Sequence, residues 1–206
     1  MHIVVCVKQV PNPEAAFSML KVDEQAKRVI PAPGLQLVMS PFDEQALEAA
    51  LRIREAAGDT KITALSIGPE SARATLKHAL AMGADEAVLV QDEALRDAGS
   101  EVSTLALTRA IAQLGTVDLI LTGRQAADWD AGVVGCGIAE LMDLPLVTFA
   151  RKVEVTTKGS VCVERVLADG FETVQVELPA VVTVSNELGA PRAPSLRETM
   201  RAARKP

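Results

Sequence analysis

The sequence has 206 residues, enough for one domain with a large buried core, and 49% of them are hydrophobic. Its aromatic residues are four Phe and one Trp, and its formal net charge is −6. Because nucleic-acid binding needs aromatic stacking platforms or a basic surface, this composition argues against a nucleic-acid partner.

The cysteines restrict the chemistry further. Cys6, Cys136 and Cys162 are widely spaced and form no C-x-x-C pair. This pattern indicates neither a disulfide framework nor a zinc knuckle, and it favours a protein of a reduced compartment. The chain opens on an apolar run without a charged leader, and no run reaches the length of a membrane span. We therefore expect a cytoplasmic protein without direct membrane insertion. A matrix protein with an uncleaved targeting sequence would show the same pattern.

Short β-branched runs alternate with helical patterns up to residue 145. Strands are predicted at residues 3–7, 62–67, 87–90 and 119–121, and helices at residues 41–57, 70–82, 100–114 and 132–142. This alternation predicts an α/β fold, namely a doubly wound, mostly parallel sheet with helices on both faces. The arrangement resembles the adenine-nucleotide alpha-hydrolase-like sheet of ATP pyrophosphatases, but their Ser-Gly-Gly phosphate loop is missing after the first strand.

The helix at residues 41–57 has the clearest boundaries. Ser40 is suited to be its N-cap, Pro41 fits the first helical position, Asp43 suits the positive end, and Gly58 ends the helix. Before it, residues 9–38 are rich in proline and show little periodicity. That stretch is either a surface excursion or a loop that covers a ligand.

The pattern changes from about residue 146. Strands are predicted at residues 147–155, 160–167, 173–177 and 180–184, with turns at Lys158-Gly159 and Asp169-Gly170. We interpret them as an antiparallel hairpin extension within one nucleotide-binding domain at residues 1–185. Residues 186–206 are predicted to form an extended C-terminal tail.

Ligands of a doubly wound sheet collect at the carboxyl ends of its strands, and the segment GRQAADWDAGVVG at residues 123–135 leaves such an end. With Asp130 as N-cap, the N–H groups of Gly132, Val133 and Val134 would be free to bind a phosphate. Asp128 and Asp130 would repel that phosphate unless they contact ribose or backbone N–H groups. No P-loop and no G-x-G-x-x-G motif is present.

Residues for catalysis are not grouped in the sequence. Cys136 falls inside a predicted helix in apolar company and is interpreted as a core residue. Trp129 could stack on a ligand ring or close the loop, and loop closure is the interpretation we favour. Since no base, metal-ligand set or Ser–His pair accompanies the aspartates, we predict a binding protein and not an enzyme.

Several segments together resemble one family, the beta subunits of electron-transfer flavoproteins. They are IVVCVKQVPNP, SPFDEQALEAALRIRE, ALSIGPESARATLKHALAMGADEAVLV, DLILTGRQAADWDAGVVGCGIAELMDLP and, most diagnostic, VERVLADGFETVQVELPAVVTVS. The resemblance covers essentially the whole sequence, with the motifs in the family's order.

The resemblance implies a heterodimer with a larger alpha subunit. An FAD shared with alpha would carry electrons, and the beta subunit would hold AMP or a second FAD. Acyl-CoA or similar dehydrogenases would donate the electrons and a quinone reductase would accept them. By position, the nucleotide site would comprise Cys6, Lys8, Ser40, Pro41, Phe42, Asp43, Ile67, Gly68, Gly123, Arg124, Gln125, Ala126, Asp128, Asp130, Ala131, Gly132, Val133 and Val134.

Three features depart from the family pattern. Many relatives have a polar run where this chain has residues 132–134, so a phosphate would rely on backbone donors. Some have an aromatic residue near Pro13 that approaches the flavin, for which Phe17 is the nearest substitute. The family usually continues past the equivalent of Pro206 with an arm that wraps alpha.

The end of the sequence aligns with the family's dehydrogenase-docking loop. Pro194, Ser195 and Leu196 would then contact the partner, with Leu196 as the apolar anchor, whereas a disordered terminus is the alternative. Two other functions stay open, a stand-alone adenine-nucleotide-binding regulatory module and an enzyme of the ATP-pyrophosphatase type.

Overall fold

A computed structural model describes residues 1–25, 28–96, 98–156 and 159–205. The strands are β1 His2–Cys6, β2 Gln9–Pro11, β3 Leu20–Asp23, β4 Arg28–Pro31, β5 Leu37–Met39, β6 Lys61–Ile67, β7 Glu86–Val90, β8 Leu119–Gly123, β9 Leu146–Val155, β10 Ser160–Leu167, β11 Gly170–Glu177 and β12 Ala180–Val184. The helices are α1 Pro41–Ala57, α2 Arg73–Met82, α3 Ser100–Gln113, α4 Val134–Met142 and α5 Leu196–Ala203.

The central sheet has eight strands in the order β11-β10-β9-β12-β8-β1-β6-β7. Strand β1 pairs in parallel with β6 on one side and with β8 on the other. The chain therefore moves outward from β1 to β6 and β7, then returns to place β8 on the opposite side. This reversal opens a crevice at the carboxyl ends of β1 and β8, which is where ligands of such sheets bind.

Apolar side chains cover both faces of the sheet. On one face Leu47 and Leu51 of α1 pack with Ile3, together with residues of α2. On the other face Ile111 of α3 and Ile138 of α4 pack against the sheet. The predicted α/β fold, mostly parallel with helices on both faces, is confirmed.

Helix α1 has the boundaries that the sequence predicts. Pro41 is its first residue, and Gly58 ends it with a φ of 81°, donating its N–H to the Arg54 carbonyl. Ser40 occupies the N-cap position, but its hydroxyl does not cap the helix. That part of the prediction is wrong, because the hydroxyl instead accepts the N–H of Ala127 at 3.4 Å.

The antiparallel extension is smaller than predicted. Strands β9, β10 and β11 are antiparallel, and the turn predicted at Asp169-Gly170 is present, whereas Lys158 of the other predicted turn lies outside the described residues. The prediction that β12 belongs to the same antiparallel unit is wrong. Strand β12 pairs in parallel with β8 and with β9, and all five residues are buried, as is typical of an interior parallel strand.

Residues 9–38 contain more structure than their sequence indicates. Strands β2 and β5 pair next to the sheet, and β3 and β4 form a hairpin in which Val22 and Val29 are exposed. The excursion leaves the sheet after Lys8 and returns at Ser40, where the Ser40 N–H bonds to the Lys8 carbonyl at 2.9 Å. Both of its ends therefore lie at the crevice.

The C-terminal segment is not simply extended. Residues 196–203 form helix α5, which packs on α2, so the prediction of a tail without regular structure is wrong here. The helix begins with a capping box in which Ser195 and Glu198 bond to each other's backbone N–H groups. Among all the described helices, none is both long enough and apolar enough to cross a membrane.

Candidate functional site

Asp43 joins the two strand ends that form the crevice. One carboxylate oxygen, Oδ2, accepts the N–H of Lys8 after β1 at 2.8 Å, and Oδ1 accepts the N–H of Gly123 at the end of β8 at 3.1 Å. The side chain reaches both because it lies in the first turn of α1, and it is only 6% exposed. Asp43 is thus a structural link at the base of the crevice.

Burial raises the pKa of Asp43 to about 7, although the N–H groups of Lys8 and Gly123 act in the opposite direction. Burial and the nearby charge of Asp43 also raise the pKa of Cys6 to about 12. The Cys6 thiol therefore stays protonated and packs as an apolar group in the core.

Gly123 cannot carry a side chain in this arrangement. A Cβ atom there would lie 2.6 Å from Asp43 Oδ1, 2.7 Å from Phe42 Cβ and 2.9 Å from the Phe42 carbonyl carbon. The end of β8 and the start of α1 therefore approach each other as closely as a glycine permits.

The loop between β8 and α4 is tied to the loop after β1. Lys8 Nζ lies 2.6 Å from Asp128 Oδ2 and 2.9 Å from its Oδ1. This ion pair balances the charge of Asp128, which weakens the electrostatic objection to a phosphate at this rim. A second contact within the loop joins Gln125 Nε2 to Asp130 Oδ1 at 2.7 Å.

Helix α4 begins two residues later than predicted, at Val134. Asp130 is not its N-cap, because its backbone is left-handed with a φ of 51° and its carboxylate is held by Gln125. Within the described residues, the N–H groups of residues 132–136 meet no backbone acceptor, and the first helical bond joins Gly137 N to the Val133 carbonyl. The predicted row of free donors is thus present, although the predicted cap is wrong.

Glycines bring these donors close to the sheet. A Cβ at Gly135 would lie 2.6 Å from Thr122 Oγ1 and 2.7 Å from Thr183 Cγ2, so α4 rests directly on β8 and β12. Gly132 has a φ of 66°, and the space around its Cβ position is open except for the Arg124 carbonyl oxygen at 3.4 Å. A ligand can therefore approach the main chain at Gly132.

Arg124 lies between two aromatic rings. Its guanidinium carbon is 5.3 Å from the Phe42 ring centre and 5.7 Å from that of Phe149. Its Nε is buried and has no hydrogen-bond partner within the described part of the chain. Phe149, which is exposed with a φ of 58°, was not predicted as a site residue. The sequence has so few aromatic residues that each of them could have been considered a candidate for the site.

The loop after β6 completes the rim. Ile67 ends β6, and the Gly68 N–H bonds to the Val90 carbonyl at 3.2 Å. Gln9 exchanges two hydrogen bonds with Ser71, each 2.8 Å long, and thereby joins this loop to the one after β1. Sequence reasoning did not include Gln9 or Ser71 in the site.

Other predicted residues differ in their placement. Trp129 is 73% exposed, so it does not close the loop by packing into it. Pro194, Ser195 and Leu196 lie at the start of α5, on a different element from the crevice loops. The side chain of Phe17 lies outside the described part of the structure. Within the described residues no cluster of His, Cys, Asp or Glu could hold a metal ion.

Comparison with known proteins identifies close similarities. The family model described as electron transfer flavoprotein domain matches residues 29–206. The chain is 41% identical over 205 residues to the electron transfer flavoprotein subunit beta of Thermoanaerobacterium thermosaccharolyticum, covering 100% of this chain and 76% of that protein. It is 36% identical over 206 residues to the caffeyl-CoA reductase-Etf complex subunit CarD of Acetobacterium woodii, with the same coverage. Identity to the protein FixA of Sinorhizobium fredii is 36% over 211 residues, covering 99% of this chain and 72% of FixA.

Proposed function

The chain belongs to the electron transfer flavoprotein family, among its beta subunits, and from this we propose that it forms a heterodimer with an alpha subunit and binds an adenine nucleotide in the crevice between β1 and β8. The observation that carries the proposal is the combination of an Asp43 link beneath the crevice with a row of free N–H donors at the start of α4. Donors of this kind suit a phosphate group.

The residues of the rim are compatible with AMP or with the adenosine end of a second FAD. The N–H groups of residues 132–136 would hold a phosphate, and Gly132 leaves room for it. Asp128 is already paired with Lys8, so its charge does not face the phosphate unopposed. The same loops would serve either nucleotide, because both present adenosine and a phosphate.

The electron-carrying flavin would be an FAD shared with the alpha subunit. The flavin itself supplies the redox chemistry, and the protein binds and orients it. Arg124, whose buried Nε has no hydrogen-bond partner among the described residues, and the neighbouring rings of Phe42 and Phe149 offer a cationic and aromatic surface at the crevice. In this proposal the chain positions a cofactor and makes no covalent bond to substrate.

The electron donors in this proposal are acyl-CoA or similar dehydrogenases, and the acceptor is a quinone reductase. Pro194, Ser195 and Leu196 would contact the donor. Their position supports this role, because the Leu196 side chain is 78% exposed at the start of α5 and is available to a partner.

The test is to co-express the chain with its alpha subunit and to purify the complex. We expect a yellow heterodimer that binds FAD, releases an adenine nucleotide on denaturation, and is reduced by an acyl-CoA dehydrogenase with its acyl-CoA. A colourless complex that cannot be reconstituted with FAD would refute the carrier function. Extracted nucleotide from a chain that forms no stable heterodimer would instead indicate a stand-alone nucleotide-binding module.

Gly132→Asp should reduce nucleotide retention by at least about tenfold. The added side chain blocks approach to the free N–H groups and places a negative charge beside the phosphate. Nucleotide per heterodimer, measured after denaturation and mass analysis, reports the effect.

Gly115→Asp is the matched control, since Gly115 also has a positive φ, of 82°, and no atom of the described residues lies within 4 Å of its Cβ position. It adds the same charge and similar backbone strain away from the crevice. Equal retention by the two variants would contradict the assignment of the phosphate site to the start of α4.

A further inference from the structure

A buried carboxylate in α1 holds the C-terminal segment at Arg192. Glu48 lies in the middle of α1 and is 4% exposed. Its Oε2 is 2.7 Å from Arg192 Nε and accepts the Arg192 backbone N–H at 3.2 Å, while Oε1 accepts Arg192 Nη2 at 3.2 Å. The guanidinium therefore binds the carboxylate with two nitrogens, which fixes its orientation as well as its position.

Neighbouring side chains extend this contact into a network. Arg52 Nε binds the same carboxylate at 2.8 Å, and its Nη1 donates to the Leu188 carbonyl at 3.0 Å. Arg192 Nη1 also pairs with Glu55 at 2.5 Å. Burial acts to raise the pKa of Glu48, but the bonds from Arg192 and Arg52 outweigh it and hold this pKa below its usual value. The carboxylate is therefore charged near neutral pH, and the network is intact.

The network ends just before α5. This helix has 8 residues, a length at which an isolated helix is marginal in water. On the side that faces α2, Ala202 is buried and Lys77 Nζ donates to the Ala203 carbonyl at 3.3 Å. Helix α5 is thus fixed by its packing on α2 and, through Arg192, by α1.

Exposed apolar and basic residues also lie on and just after α5. Leu196 and Met200, one helical turn apart, are 78% and 55% exposed. Arg197, Arg201 and Arg204 are exposed beside them, in a chain whose formal net charge is −6.

We propose that the Glu48–Arg192 pair is a positioning element that keeps α5, and with it Leu196 at the start of the helix, ordered before a partner docks. This inference rests on the proposed electron-carrier function, in which Leu196 contacts the dehydrogenase, and adds the side chains that hold α5 in place. Ordering the segment in advance strengthens docking, because the partner does not have to supply the ordering free energy.

The test uses the FAD-loaded heterodimer as electron acceptor for an acyl-CoA dehydrogenase reduced by its acyl-CoA. For Arg192→Met we expect an approximately tenfold higher KM for the heterodimer with little change in kcat, because the fraction of molecules with an ordered α5 falls. Hydrogen exchange of residues 196–203 should accelerate in the same variant. Arg192→Lys, which keeps the charge without the two-nitrogen contact, should fall between Arg192→Met and wild type.

Arg109→Met is the matched control, since Arg109 is exposed on α3, in the helical layer on the other face of the sheet. The positioning role would be wrong if hydrogen exchange of residues 196–203 became faster in Arg192→Met while KM stayed at the wild-type value. It would also be wrong if the exchange rate of these residues did not change. No electron transfer by wild type would refute the carrier function itself, whereas the exchange rates of residues 196–203 test the positioning role independently of electron transfer.

Discussion

Gly123→Ala should lower the free energy of unfolding by about 3 kcal/mol, because the added methyl group has no space. Its Cβ would lie within 2.9 Å of three atoms of Phe42 and Asp43, one of which is a backbone carbon. Relief requires the end of β8 to move away from α1, and that movement lengthens the 3.1 Å bond from Gly123 N to Asp43. Urea unfolding followed by circular dichroism measures the loss.

Gly99→Ala provides the comparison for this prediction. Within the part of the chain that the structure describes, no atom lies within 4 Å of a Cβ at Gly99, and the φ of −68° suits alanine. The expected change is below about 1 kcal/mol, since only the preference for glycine at a helix N-cap is affected. If the two variants unfolded at the same urea concentration, the close approach of β8 and α1 at Gly123 would be wrong.

Asp43→Asn should change how stability depends on pH. Burial raises the pKa of Asp43 from 3.8 to about 7, so the folded protein binds this proton more tightly than the unfolded chain does. The resulting stabilisation is complete below about pH 4 and is lost as the pH rises through 7, a change of about 4 kcal/mol for a shift of this size. The stability of wild type relative to Asp43→Asn should therefore fall by about that amount between pH 4 and pH 8, so that the variant becomes the more stable protein at pH 8.

At low pH the asparagine variant should be the less stable protein. An amide offers one oxygen, so one of the N–H groups of Lys8 and Gly123 faces an NH2 group, at a cost of about 1–3 kcal/mol. Asp169→Asn, at an exposed turn, removes the same charge without such contacts and serves as control. A difference between wild type and Asp43→Asn that stays constant with pH would show that Asp43 does not titrate in this range.

Helix α1 and the crevice loops could be predicted because their signals are local. Pro41 and Gly58 mark the ends of α1 through backbone preferences that need no knowledge of neighbours. The loops after β1 and β8 follow from strand–helix alternation, since all parallel strands end at one edge. The link made by Asp43 was not predictable in this way, because its two partners lie 35 and 80 residues away.

Other features depended on tertiary context or on a signal that was overlooked. The run AVVTV of β12 is continuously apolar, which is typical of an interior parallel strand, but its hairpin-like neighbours favoured an antiparallel interpretation. Asp130 is a suitable N-cap by residue type, yet Gln125 holds it in another conformation. The capping box of Ser195 and Glu198 was visible in the sequence and indicated α5.

The position of β12 affects the order in which the sheet can assemble during synthesis. Strand β12 lies between β8 and β9, so β9, β10 and β11 join the parallel strands only through it. Until residues 180–184 leave the ribosome, the outer edges of β8 and β9 stay unpaired, and unpaired edges are templates for aggregation. The nascent chain is therefore prone to aggregation until residues 180–184 pair with β8 and β9.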